Sequence, residues 1–121
     1  MTTSFTPYAQ INSLDEFSIV AGSAFVITFQ VYQEEACVNL LDLTGSIIKW
    51  VLSPYGDTSS RVLIKTGVIT GLGTFTITLA PSDTSSLSGK YIHQPVVTDF
   101  SGSVFRPAQG TMLILPQIPT T

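Results

Sequence analysis

The sequence predicts an all-β protein: an antiparallel sandwich of about seven to nine short strands with extended arms at both ends. Three observations predict it. Apolar and polar residues alternate with period two in several separate segments, as a strand with one buried face requires. Turn-forming residues recur between those segments. No stretch carries the 3.6-residue periodicity of an amphipathic helix of useful length.

The elements follow in order. Met1 to Asn12 is polar, holds Pro7 and reads as an extended arm outside the sandwich, which spans residues 13–115. A short strand, Phe17 to Val20, precedes the Ala21-Gly22-Ser23 turn. Then Phe25, Ile27, Phe29 and Val31 alternate with Val26, Thr28, Gln30 and Tyr32. Gln33 to Ala36 is a polar break, and Leu40 to Gly45 ends in a turn. Ser46 to Ser53 is a strand with Ile48, Trp50 and Leu52 on one face and Ile47, Lys49 and Val51 on the other. Pro54-Tyr55-Gly56-Asp57 is a turn. Arg61 to Lys65 is a strand, and the Gly67 to Gly73 connection has room for a short one at Val68-Ile69. Phe75, Ile77 and Leu79 alternate with Thr74, Thr76 and Thr78, and threonine suits strand geometry while keeping the outer face polar. Pro81 to Leu87 reads as one helical turn with Ser or Asp available for capping, ended by Gly89. Lys90 to Thr98 is a strand that Pro95 marks as an edge or a bulge. Asp99-Phe100-Ser101-Gly102 is a turn, Ser103 to Arg106 and Thr111 to Leu115 are the last strands, and residues 116–121 form a tail.

Composition narrows the function. The chain has 121 residues, the size of one domain with one core. Charged residues make up only 11% of it, so Ser and Thr carry much of the surface. A surface of that kind loses little on desolvation and suits extensive protein contacts; it is equally the signature of many secreted β-domains. The five basic residues are scattered through the sequence and the formal net charge is −3, so the electrostatic footprint of a nucleic-acid binder is missing. A single cysteine, Cys37, excludes an intramolecular disulfide and reads as a packing residue. No apolar run reaches the roughly 20 residues of a membrane helix, and the N-terminus lacks the features of a signal peptide. The expectation is a chain used in the cytoplasm or assembled there into a larger particle.

Chemistry-bearing patterns are sparse. His93 is the only histidine, and no G-x-S-x-G elbow accompanies it, so no catalytic residue is assigned and the chain reads as a non-enzyme. Zinc would need more Cys and His than the chain has, and no D-x-D-x-D loop offers a calcium site, so neither a metal nor a cofactor is expected. The glycines Gly71 and Gly73 lie between strands rather than before a helix, which removes a phosphate-cradling role. What remains are the arms and the apolar members of the outer faces. Phe5, Tyr8, Val26, Tyr32, Ile47 and Val51 are the candidate partner contacts. A loop or strand of the same domain would equally well cover the strand residues among them.

Two local patterns point to an Ig-like sandwich. Leu87-Ser88-Gly89-Lys90-Tyr91 is similar to a tyrosine corner, and Trp50 lies where such domains keep their core tryptophan. The usual cysteine pair is absent, with His93 two residues beyond the tyrosine. Further pieces, in order, are Leu41-Asp42-Leu43-Thr44-Gly45, Ile48-Lys49-Trp50-Val51-Leu52, Phe75-Thr76-Ile77-Thr78-Leu79, Asp83-Thr84, Asp99-Phe100-Ser101-Gly102 and Gly110-Thr111-Met112-Leu113-Ile114. Together they resemble the Ig-like (BppU-type) N-terminal domain of upper-baseplate and fibre proteins of tailed bacteriophages. The resemblance implies a non-enzymatic virion structural protein, found in the particle and assembled in the host cytoplasm. It would bind other virion proteins as a homo-oligomer, a trimer or higher, at the tail, baseplate, neck or fibre attachment, or as capsid decoration. The family's coiled coil and receptor-binding head are missing from this sequence, which favours an adaptor or a decoration domain. The alternative from another class is a carbohydrate-binding or adhesin module, with Tyr8, Tyr32, Tyr55 and Phe100 as stacking candidates. A small hydrolase built on His93 is the third reading.

Overall fold

A computed structural model describes residues 8–11, 16–32, 40–57, 59–107 and 109–118; of residues 8–11 and 16 it describes the backbone alone. Among the described residues, ten strands form two sheets packed face to face, with one helical turn beside them. The strands are β1 (Tyr8–Ile11), β2 (Glu16–Val20), β3 (Phe25–Tyr32), β4 (Ile47–Pro54), β5 (Leu63–Thr66), β6 (Val68–Gly71), β7 (Thr74–Leu79), β8 (Gly89–Thr98), β9 (Val104–Phe105) and β10 (Gly110–Leu115). The helix α1 is Pro81–Thr84. The first sheet runs β1-β3-β7-β6 and the second β2-β10-β8-β4-β5, with β9 paired to β8.

Alternation places the core. Ile27, Phe29 and Val31 of β3 and Phe75, Ile77 and Leu79 of β7 are fully buried, and they meet Ile48, Trp50 and Leu52 of β4, Val97 of β8 and Met112 and Ile114 of β10. Phe29 stacks on Phe75 across the β3–β7 pair, with ring centroids 4.9 Å apart. Each such side chain contributes roughly 1.5–3 kcal/mol on leaving water.

The sequence reading holds for most elements, the local edge at Pro95 included, and departs at three places. Part of the segment read as an N-terminal arm, Tyr8–Ile11, pairs antiparallel with β3 as an edge of the first sheet. The sandwich is antiparallel except at one pair: β2 runs parallel to β10, with Phe17 opposite Met112. β8 sets the direction of β10, and β2 joins β10 on its far side. The strand expected from Arg61 begins at Leu63, because Ser59 and Ser60 donate their hydroxyls to Asp57 and prolong the preceding turn. Pro95 sits inside β8, opposite Trp50 of β4. On the other flank β10 stops at His93 and β9 starts at Val97, so the proline without an N–H falls where no strand pairs with that side.

Two glycines are required by geometry. Gly67 alone separates β5 in the second sheet from β6 in the first, and its N–H donates to Ile48 O at 2.8 Å. A Cβ there would lie 2.7 Å from Ile48 Cγ2, so the crossover must be bare backbone. Gly73, at φ +65°, turns β6 into β7, and its carbonyl accepts from Val31 N at 2.7 Å. The expected helical turn is present: Asp83 accepts from Ala80 N at 2.7 Å and pairs with Lys65 at 3.0 Å. Buried Thr84 accepts from Gly22 N, which ties α1 to the β2–β3 turn.

Candidate functional site

The centre of the sandwich holds the chain's single histidine and single tryptophan in one hydrogen-bonded pair. Trp50 Nε1–H donates to His93 Nδ1 at 3.1 Å, and both residues are buried. An Nδ1 that accepts leaves the proton of the neutral ring on Nε2, which has no hydrogen-bond partner among the described residues. Phe17 and Phe29 meet the imidazole edge-on, with ring centroids at 5.3 and 6.3 Å. Burial pushes the imidazole down to about 4, so the ring is uncharged at neutral pH. A neutral ring walled in by an indole and two phenyl groups is a packing element and not an exposed base. Two residues before it, Tyr91 closes the tyrosine corner: its hydroxyl donates to Ser88 O at 3.0 Å and accepts from Ser88 N at 3.3 Å. Among the described residues, no three of His, Cys, Asp and Glu come together as a metal site. Cys37 lies outside the described residues.

The two outer faces differ in chemistry. On the first sheet, Thr28 and Gln30 of β3 sit opposite Thr76 and Thr74 of β7, Val26 sits opposite Thr78, and Val68 of β6, 59% exposed, sits opposite Thr76. On the second sheet the corresponding positions are largely aliphatic. Val51 lies between Ile64 of β5 and Gln94 of β8. Ile47 pairs with Thr98, which pairs with Val104 of β9. Val96 is opposite Lys49, Leu113 opposite Ser18, and Leu115 opposite Val20. Ile47 is 60% exposed, and Ile64, Val104, Val20 and Leu115 are also exposed. The charges described on this face are the cations Lys49, hydrogen-bonded to Thr66 Oγ1, and Lys90, whose ammonium lies 4.4 Å from the centre of the Tyr55 ring.

The sequence-predicted contacts separate accordingly. Ile47 and Val51 share the aliphatic face of the second sheet. Val26, 49% exposed, and Tyr32, half-buried with its hydroxyl donating to Gln30, lie on the threonine face of the first. Tyr8 pairs with Tyr32 through the backbone, and Phe5 lies outside the described residues. Sequence reasoning missed Ile64, Val96, Val104 and Leu113. Each sits on the polar phase of its strand, which is a visible signal, but only strand order reveals that they share a face with Val51.

A second feature lies at the end of the sandwich where the turn before β4 meets the β8–β9 turn. A hollow of ≈ 160 Å³ there is lined by Leu41, Asp42, Leu43, Asp99, Phe100 and Phe105, among others. Phe100 stands 85% exposed at its rim. Asp42 is held below the usual carboxylate range by the Thr44 hydroxyl and amide, and Asp99 by the Ser101 hydroxyl and the amides of residues 101–103. Both are ionised at neutral pH.

No protein-family model and no curated protein matches the chain. Solved structures do. CopC from Methylosinus trichosporium OB3b superposes with a TM-score of 0.53 at 10% identity, covering 95% of this chain and 99% of its own. The GspB Siglec domain superposes with a TM-score of 0.50 at 18% identity, covering 95% of this chain and 60% of that one. At such identities the likeness shows the fold alone. That fold is an all-β sandwich of the Ig-like class, as the tyrosine corner and the buried tryptophan require.

Proposed function

We propose that the chain is a non-enzymatic structural domain of a tailed-bacteriophage particle that docks other virion proteins through the outer face of its second sheet. The observation that carries the docking role is the aliphatic cluster on the outer face of the second sheet, where exposed Ile47, Ile64 and Val104 accompany half-buried Val51; the outer face of the first sheet mixes threonines with the exposed Val26 and Val68. A cluster of water-facing aliphatics spanning several strands of one sheet is what a buried protein contact requires. The virion setting rests on the ordered likeness of residues 37–115 to the BppU-type domain. Low charge fits the same role, since few charged groups must shed water on assembly. Quantitative mass spectrometry of particles made by the phage or prophage that encodes the chain tests the setting. Val51→Lys tests the face: the variant should fold normally and fail to join the particle. Normal incorporation of Val51→Lys would move the contact elsewhere.

One observation favours a second reading, a carbohydrate-binding or adhesin module. Phe100 stands exposed beside a hollow that holds two ionised carboxylates, a stacking surface next to acceptors for sugar hydroxyls. Binding on a glycan array that Phe100→Ala abolishes would support it, and a blank array with an intact particle role would remove it.

A further inference from the structure

The least satisfied polar atom in the core is His93 Nε2, and its surroundings give it a consequence. His93 is 1% exposed, and Nε2 finds no acceptor. Phe17 from β2, Phe29 from β3 and Trp50 from β4 surround the ring, and none carries a charge. Across the backbone its register neighbours are Leu52 of β4 and Gly110 of β10. On its own strand Tyr91 is engaged with Ser88. Glu16 of β2 belongs to the Thr111 row, one register position from the Met112 row that contains Phe17. No described anion therefore faces the imidazole. Protonation adds a hydrogen to Nδ1, where Trp50 Nε1–H already points, so two donors oppose each other and the bond is lost. The imidazolium then needs water.

The strands around the ring differ in how firmly they are held. β3 pairs with β1 and β7, β4 with β5 and β8, and β8 with β10 and β4. Among the described residues β2 pairs with β10 alone, over five residue pairs. Its Phe17 is half-buried, covers the imidazole and stacks on Phe25 at 5.6 Å; Ile19 is its buried core side chain. Lifting β2 hydrates the ring at the loss of one edge strand and leaves the β3–β7 and β4–β8 pairs whole.

We propose that His93 is an acid-sensitive latch: its protonation releases β2 from the sandwich and uncovers the edge of β10. The released edge is a row of free backbone donors and acceptors beside Leu113 and Leu115, open to pairing with another strand. Because the imidazole sits near 4 in the closed state and near 6.5 when freed, the open population rises as pH falls between those values. The rise is about tenfold per pH unit across that window.

Amide hydrogen exchange of the full chain at several pH values, corrected for intrinsic rates, tests the latch. Protection of Phe17–Val20 should fall about tenfold per pH unit below 6 and stay well below that of Phe75–Leu79 of β7 at every pH, because β2 opens without the rest of the sandwich. The imidazole carbon resonances of the wild type should titrate over the same range. In His93→Gln, which offers the indole an acceptor and cannot be charged, the tenfold-per-unit loss of β2 protection should disappear. Equal protection of β2 and β7 at every pH in the wild type, or an unchanged β2 response in His93→Gln, would overturn the latch. Should His93→Gln not fold, the wild-type comparison decides alone: β2 protection that stays flat while the imidazole titrates overturns it.

Discussion

One buried hydrogen bond joins Trp50 and His93 at the core centre, and a double-mutant cycle measures what that bond contributes. Trp50→Phe removes the Nε1–H and leaves His93 Nδ1 buried without a donor. An orphaned buried acceptor costs about 1–3 kcal/mol. The volume lost between indole and phenyl at a fully buried site adds about 1–2 kcal/mol. His93→Leu leaves the indole N–H unpaired instead and costs about 1–3 kcal/mol by the same reasoning. The double variant leaves neither orphan, so its loss should fall short of the sum by roughly 1–3 kcal/mol. Urea unfolding followed by far-UV circular dichroism reads all four proteins without relying on the single tryptophan. Strict additivity would mean that the 3.1 Å contact carries no energy, and the account of the core centre would fail with it.

Three further predictions follow from the same coordinates. Tyr91→Phe removes the hydroxyl that both donates to and accepts from Ser88 and should cost about 1–2 kcal/mol, seen as a lower urea midpoint at unchanged slope. His93 is neutral in the fold with its imidazole near 4, against about 6.5 when unfolded, so the unfolded chain binds more protons between those values. Stability is therefore full above about 6.5 and falls by about 3 kcal/mol as pH drops to 4, a decline that His93→Gln should lack in urea titrations across that range. Gly73→Ala forces a side chain into φ +65° with Cβ 2.8 Å from Val31 O, and a loss of about 1–3 kcal/mol is expected in thermal unfolding.

Period-two alternation made β3, β4 and β7 legible because each has one face in the core. The tyrosine corner was legible because its contacts are local, three residues apart. What lay beyond the sequence was everything set by strand order. That β2 and β10 run side by side in parallel depends on partners nearly a chain length apart. The pairing of Trp50 with His93 spans 43 residues, and the sequence showed only that His93 stands where a cysteine is usual. The contact face was half legible. Ile47 and Val51 were visible as apolar residues on a polar phase, while Ile64, Val104 and Leu113 join them only once five strands are laid edge to edge.

The most direct test of the virion account is the amount of this protein in purified particles of the encoding phage, by quantitative mass spectrometry against the portal and major capsid proteins. The account predicts a fixed stoichiometric copy number, low for an attachment site or high for a decoration layer. Absence from the particles would contradict it and leave the Phe100 hollow, and an adhesin role, as the reading to pursue.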